Sequence, residues 1–150
     1  MRARGLRPDE KDPVLRALLD SGIAAPALCH TAVDVCQIIP FQHSLPPLVD
    51  GVRPLIAYFA LRRRASGITL GQRVYVRRNL FDRRGKLPLF LVTHEVAHVV
   101  QFLRDGTLPF LSRYLGEYFL SRLQGIDDRR AYLSISYERE ARRVESCLRD

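Results

Sequence analysis

The sequence has no apolar run long enough to cross a membrane. The stretch from Leu55 to Leu61 is too short, because a spanning helix needs about 20 apolar residues. The stretch from Leu87 to Leu103 is interrupted by polar residues, which are Thr93, His94, Glu95, His98 and Gln101. No apolar segment follows the basic N-terminus, so no secretory signal is indicated. We therefore expect a soluble cytoplasmic protein without a membrane partner.

Internal repeats and low-complexity tracts are also lacking. The chain has 150 residues and is 47% apolar, which is typical of one folded domain with one core. We expect residues 1–52 to form an N-terminal wrapping segment of that same domain. Residues 53–150 are expected to form its functional core.

Cysteine is scarce, with only Cys29, Cys36 and Cys147 in the chain. The odd number and the spacing match no common disulfide framework, which favours reduced thiols that act as small apolar residues. A metal site built from Cys29, His30 and Cys36 is the alternative. It lacks the paired C-x-x-C that such sites usually have, so it is not favoured.

Acidic residues are nearly absent between Arg53 and Lys86, where ten basic residues accompany the single acid Asp82. With ten basic residues and one acid, this basic block has a net charge of +9, which exceeds the +8 of the whole chain. It could attract an acidic protein or a nucleic acid. A solvated face that keeps the protein soluble is favoured instead, because few aromatic residues are interleaved for base stacking.

Apolar spacing and helix-boundary signals predict a mixture of helices and short strands. A first helix is expected to start at Asp12–Pro13 and to stop at Ser21–Gly22, before a proline-rich segment over residues 23–51 that is expected to form short pieces and loops. The later predicted elements are a helix over 53–64, two short β segments (67–70 and 73–78) separated by Gly71–Gln72, a turn over 81–86, helices over 88–104, 109–124 and 134–148, and a connecting loop over 126–130.

The helix predicted from Pro88 to Arg104 carries the pattern H-E-x-x-H. His94 and His98 lie four residues apart, so both rings project from one face of the helix and can reach one zinc ion. Glu95 is rotated by about 100° and could take a proton from a water on that ion. The composition predicts a chance match in about 0.4% of such chains, so a metal site is favoured over two ordinary core histidines.

A catalytic zinc ion usually has a third protein ligand. The candidates are Glu117, Asp127, Asp128, Glu138, Glu140, Glu145, His30 and His43. Glu138 is favoured because helix packing could bring it to the histidine pair, although spacing alone does not separate it from Glu145. Glu140 lies about 200° away on the same helix and is expected to face elsewhere, towards solvent.

The residues His94-Glu95-Val-Ala-His98-Val-Val-Gln101, with Glu138-Arg-Glu-Ala141 forty residues later, resemble the gluzincin clan of zinc metallopeptidases. The likeness covers roughly residues 67–150 and is greatest to the minimal bacterial members of the clan. It implies that His94, His98 and Glu138 bind zinc and that Glu95 is the catalytic base. The expected fold is α+β, with a mainly helical zincin-like core and a small β-hairpin or sheet before the active-site helix.

The chain departs from the clan at Arg142, where members often have an aspartate that supports a histidine ligand. A group that stabilises the oxyanion is not assigned, since Tyr132, Tyr137 and Arg143 are expected to be packing or surface residues. The segment around Tyr75 is expected to be an edge strand that aligns a peptide. Latency through Cys36, Asp34 or His43 at the open metal position is a further, less favoured hypothesis.

Two classes of function follow from these patterns. The first is a zinc-dependent endopeptidase that cleaves proteins or peptides. The second is a non-catalytic, zinc-stabilised binding module that uses the basic block to contact a protein or nucleic acid. The presence of Glu95 favours the enzyme, because a buried glutamate beside a metal is otherwise costly.

Overall fold

A computed structural model describes residues 2–41 and 66–148 of the chain. In chain order, the elements are α1 (Pro8–Ser21), α2 (Pro26–Val35), β1 (Gln37–Phe41), β2 (Gly67–Leu70), β3 (Arg73–Arg77), a 3₁₀ turn (Arg78–Leu80), α3 (Leu89–Asp105), α4 (Thr107–Leu123), α5 (Asp128–Ser134) and α6 (Ser136–Ser146). The fold is α+β, as predicted, and its small sheet precedes the long helix α3. The helix predicted over 53–64 lies outside the described residues.

Helix α3 forms the centre of the fold because it is apolar on most of its surface. Leu91, Val92, Val96, Val99 and Val100 are all buried on it. The helix starts after Pro88 and ends at Asp105, within one residue of the predicted bounds of 88–104, and Gly106 caps it. Gly106 has φ +88°, a conformation that favours glycine, and it lets α4 begin one residue later.

Helices α1, α2 and α6 pack around α3 in one continuous core. Val14 and Leu18 of α1, Cys29 of α2 and Val144 of α6 belong to the same buried cluster as the valines of α3. None of the helices in the described ranges combines the length and the apolar content that spanning a bilayer requires.

The sheet has the strand order β1-β3-β2. β2 and β3 form the predicted antiparallel hairpin, and Gly71 in its turn has φ +68°. β1 pairs with β3 in parallel, with Ile39 opposite Tyr75. The prediction that the segment around Tyr75 is an edge strand is therefore wrong. β3 is the central strand, because β1 forms from a segment that the sequence pattern assigned to loops.

Three other local predictions are wrong for identifiable reasons. Helix α1 starts at Pro8 rather than Asp12–Pro13, because the Glu10 carboxylate accepts the backbone N–H of Arg7 at 2.8 Å and caps the first turn. Residues 26–41 form α2 and β1 rather than loops, and Pro26 occupies the first turn of α2. The predicted loop over 126–130 begins α5, since Asp127 accepts the N–H of Arg130 at 2.8 Å.

The cysteines behave as small apolar residues and not as metal ligands. Cys29 and Cys36 are buried in the core, whereas His30 between them is exposed. Burial raises the pKa of the Cys29 thiol, and burial together with the nearby Glu95 carboxylate raises that of Cys36 to about 12. The alternative metal site at Cys29, His30 and Cys36 is therefore not formed.

Alkylation with iodoacetamide tests this arrangement. We expect only Cys147, which is partly exposed, to react readily in the folded protein at mildly alkaline pH, because Cys29 and Cys36 are buried thiols. All three should react after denaturation in urea. Peptide mapping by mass spectrometry measures the three rates, and rapid modification of Cys36 in the folded protein would contradict the burial of its thiol.

Candidate metal centre

The packing of α6 against α3 brings three ligand side chains to one point. His94 and His98 lie one turn apart on α3, with ring centroids 5.0 Å apart. Glu138 lies in the first turn of α6, and its carboxylate faces both rings. Its Oε2 is 3.0 Å from His94 Nε2, and its Oε1 is 3.1 Å from His98 Nε2.

This cluster could hold a metal ion. One ligand atom from each of His94, His98 and Glu138 lies within 4.8 Å of the other two, and no other group of three potential ligands is found among the described residues. His98 and Glu138 are 5% and 3% exposed, so few water molecules can compete for their ligand atoms. Two imidazoles and a carboxylate suit zinc, although they also bind other first-row ions.

The outer nitrogens of both rings also have partners. His94 Nδ1 lies 3.1 Å from Glu145 Oε2, and His98 Nδ1 lies 2.7 Å from Gln101 Oε1. Metal-binding histidines usually donate this second N–H to a carboxylate or carbonyl oxygen, which fixes the ring and its tautomer. The gluzincin pattern predicts an acid that supports a histidine ligand at position 142, where this chain has arginine. Glu145 is the acid that lies next to His94 instead.

The four contacts around the two rings point to a cation between them. Each ring has an oxygen acceptor at both of its nitrogens, but a neutral histidine carries only one N–H. Without a metal, both rings must be protonated to satisfy these contacts, and two positive charges then lie side by side. With a metal, the Nδ1 atoms keep their protons and the Nε2 lone pairs bind the ion. The donor set thus fits a metal ion.

The charges of the cluster are strongly coupled when no metal is bound. Burial by itself lowers the pKa of His94 and of His98, but the Glu138 carboxylate, together with the Glu95 carboxylate, outweighs it and raises both. Burial acts in the opposite direction on Glu138, and the two histidines outweigh it and hold the pKa of its carboxyl well below its usual range. In the metal-free centre the Glu138 carboxylate therefore stays ionised and favours the protonated forms of both histidines.

Metal affinity should consequently depend steeply on pH. Both pKa values are raised, so each protonated histidine must lose a proton before its Nε2 can bind the ion, and affinity rises as pH rises through the range in which the two histidines titrate. With two protons released, the logarithm of the affinity should rise by about two per pH unit. Isothermal titration calorimetry in buffers of different ionisation enthalpy counts the protons, and a count of zero would contradict the paired state.

Glu95 is held on a neighbouring face of α3 by strand β2. Thr69 Oγ1 donates to Glu95 Oε2 at 2.7 Å, and Glu95 is only 5% exposed. Gly67 lies beside it, where a Cβ would come within 3.5 Å of the carboxylate and 3.2 Å of the carbonyl of Tyr75. The β-hairpin therefore supports Glu95 and leaves little room for a larger side chain at position 67.

Tyr114 and Tyr132 border the centre, although the sequence did not place them there. Tyr114 of α4 donates its hydroxyl to Glu138 Oε1 at 2.8 Å. Desolvation, followed by the Glu138 carboxylate, raises the pKa of Tyr114 and also that of Tyr132 on α5. The prediction for Tyr132 was a packing or surface residue, and the residue is 42% exposed, although its hydroxyl is close enough to the Glu138 carboxylate for that charge to raise its pKa. Local sequence carried no signal for Tyr114, because it lies 24 residues before Glu138.

Four of the other proposed third ligands have their own partners outside the centre. Glu117 accepts hydrogen bonds from Ser136, Asp127 caps α5, and Asp128 accepts the hydroxyl of Tyr118. Glu140 faces away from the centre, as predicted, but not towards solvent, because it pairs with Arg104 at 3.0 Å. His43 lies outside the described residues.

Asp34 and Cys36, which were suggested for latency, and Tyr137, which was considered for the oxyanion, make contacts away from the metal cluster. Asp34 is exposed and lies 3.7 Å from Lys11, and Cys36 is buried in the core without joining the ligand group. Arg142 donates to the carbonyl of Leu133, and Tyr137 donates to Asp105. Latency through Asp34 or Cys36 is therefore not supported by the fold.

Comparisons with models of protein families, with curated proteins and with solved structures found no match for this chain. The resemblance to gluzincins therefore stays a prediction from the motif. Function has to be inferred from the geometry of the centre itself.

Proposed function

We propose that this chain is a zinc-dependent metallopeptidase, with His94, His98 and Glu138 as metal ligands and Glu95 as the general base. The observation that carries the proposal is the convergence of the three ligand side chains, with the Nδ1 atoms of both histidines already held by acceptors. This arrangement leaves both Nε2 atoms available to one ion. A purely structural metal site needs only its ligands. Glu95 is a buried carboxylate that does not belong to the ligand group, and a catalytic role as base would explain it.

When bound, a zinc ion supplies a Lewis acid that polarises a peptide carbonyl and lowers the pKa of a water ligand towards about 7. Glu95 takes the proton of the attacking water and returns it to the leaving amine. Its Oε2 accepts the Thr69 hydroxyl, and within the described ranges no donor is bound to Oε1. Oε1 is therefore the atom that we assign to proton transfer.

A peptide substrate would lie along β2 rather than along β3. Of the three described strands, β2 is at the side of the sheet that adjoins Glu95, while β3 is paired on both sides. An extended peptide can add to such an edge by main-chain hydrogen bonds. This replaces the earlier assignment of substrate alignment to the segment around Tyr75.

Digestion of a mixed peptide library by the zinc-loaded protein tests the proposed activity. We expect cleavage that stops when a chelator removes the metal and returns when zinc is restored. Mass spectrometry of the products identifies the cleaved bonds and provides a defined substrate. A protein that binds zinc and cleaves nothing would favour the binding module instead.

The binding module is supported by the exposed basic surface that precedes α3. Within the described part of the basic block, Arg73, Arg78, Arg83, Arg84 and Lys86 are exposed. Phosphate contacts by such residues weaken steeply with salt. Fluorescence anisotropy of a labelled oligonucleotide at low and at physiological ionic strength tests this surface. Salt-sensitive binding would support a nucleic-acid partner, and no binding at low salt would exclude that partner.

A further inference from the structure

The buried side-chain amide of Gln101 links the metal centre to the ion pair between Glu140 of α6 and Arg104 of α3. Gln101 is fully buried, and its Oε1 lies 2.7 Å from His98 Nδ1. Its Nε2 donates at 2.9 Å to the carbonyl of Tyr137 and at 2.9 Å to Glu140 Oε1. Arg104 NH1 donates to the same Glu140 oxygen at 3.0 Å.

The donors and acceptors around Gln101 admit only one orientation of its amide. Two acceptors, the Tyr137 carbonyl and the Glu140 carboxylate, use both N–H groups of Nε2. The carbonyl oxygen of the amide must then face His98 Nδ1. An oxygen at that position requires a proton on Nδ1, which leaves the Nε2 lone pair of His98 for the metal.

Without an acceptor at position 140, only the Tyr137 carbonyl still opposes the reverse orientation. Arg104 NH1 and Gln101 Nε2 both lie within 3.0 Å of Glu140 Oε1, so they are neighbours around one atom. If that atom is removed, Arg104 can donate to a rotated Gln101 carbonyl. The amide nitrogen then faces His98 Nδ1 and selects the tautomer with its proton on Nε2, where the metal must bind.

We propose that Glu140 is a positioning residue, which acts through Gln101 to set the tautomer of His98. This inference rests on the metal centre of the proposed function but not on peptidase activity. It assigns a role to a residue that sequence spacing placed in solvent. The essential property of residue 140 is a hydrogen-bond acceptor next to Arg104, not a negative charge.

The matched substitutions Glu140→Met and Glu140→Gln separate these two properties. Zinc affinity is measured for each purified protein by competition with a chromophoric chelator. Glu140→Gln keeps an oxygen for Gln101 and Arg104 and should stay within about threefold of the wild type. Glu140→Met has similar size but no acceptor, and we expect its affinity to fall at least about tenfold, the lower end of the range for supporting residues of metal ligands.

Long-range ¹H–¹⁵N NMR of the metal-free protein reads the tautomer directly, at a pH where His98 is neutral. Glu138 Oε1 lies 3.1 Å from His98 Nε2 and competes for the proton in every variant, so the readout is the fraction of His98 that is protonated on Nδ1. This fraction should be equal in the wild type and Glu140→Gln and lower in Glu140→Met. A purely structural role of Glu140 would weaken folding without changing the tautomer. Arg143→Met serves as a control, because Arg143 is 3.9 Å from the other Glu140 oxygen and does not contact the amide.

Four results would overturn the inference. They are unchanged affinity in Glu140→Met, an equal loss in Glu140→Met and Glu140→Gln, an unchanged His98 tautomer in Glu140→Met, and no zinc binding by the wild type, which alone would also remove the metal centre. If Glu140→Met does not fold, Gln101→Met tests the same dependence. It leaves His98 Nδ1 without its acceptor and must lose at least as much affinity, so retention of zinc there would also overturn the inference.

Discussion

Replacement of Glu95 by glutamine is expected to lower kcat/KM for peptide cleavage by roughly 100-fold to 10,000-fold, the range that a positioned general base contributes. Glutamine has nearly the same size and can still accept the Thr69 hydroxyl, which lies 2.7 Å from the carboxylate. It cannot take up a proton from water. The zinc content should stay equal to that of the wild type, because Glu95 is not a member of the ligand group.

The rate is measured on a defined peptide taken from the library digest, and zinc is quantified by atomic spectroscopy in the same samples. Glu117→Gln is the matched control, since Glu117 lies outside the centre and its contacts with Ser136 need only an acceptor. We expect this control to stay within about twofold of the wild type, as surface substitutions usually do. Full activity of the Glu95→Gln protein would exclude Glu95 as the base.

Replacement of Glu138 by glutamine is expected to have the largest effect on metal binding. Glu138 is the only carboxylate that faces the Nε2 atoms of both histidines among the described residues. The substitution replaces a charged carboxylate ligand by a neutral amide and leaves the supporting contacts at both Nδ1 atoms intact. The loss of zinc affinity should exceed the 10-fold to 100-fold that is typical when a supporting residue is replaced.

Glu145→Gln provides the comparison that distinguishes a ligand from a supporting residue. Glu145 contacts the outer nitrogen of His94 at 3.1 Å, so its replacement should fall within that 10-fold to 100-fold range. Chelator competition gives both affinities, with Glu117→Gln as a common control. If Glu145→Gln lost more affinity than Glu138→Gln, the roles of the two glutamates would have to be exchanged.

Much of the local structure could be predicted from short-range patterns. The bounds of α3 follow from Pro88, Gly106 and a run of apolar residues, and these signals act within the helix itself. The hairpin of β2 and β3 follows from β-branched residues around Gly71. The starts of α1 and α5 were missed although local caps set them. The error at β1 fell where a distant contact decides the local structure. Strand β1 exists because Gln37–Phe41 pairs with β3, more than 30 residues further along the chain.

The metal centre shows the same division. His94 and His98 are four residues apart, which is about one helical turn, so they project from the same face. The sequence alone therefore predicts this half of the site. Glu138 and Glu145 lie two turns apart on α6 and project from the same face, and for this reason spacing could not separate them. Only the angle and depth at which α6 packs on α3 place Glu138 at the Nε2 atoms and Glu145 at Nδ1.

The sequence by itself determined the class of the fold, the helix that carries the histidine pair and the position of Glu95 next to it. These properties depend on backbone periodicity, which neighbouring residues set. The tertiary structure decided which glutamate faces the histidines, which strand supports Glu95, and how Gln101 and Glu140 surround His98. Apart from the local contact of Gln101 with His98, those contacts join residues 26 to 51 positions apart, and hydrogen-bond geometry selects among chemically similar side chains only after the helices have packed.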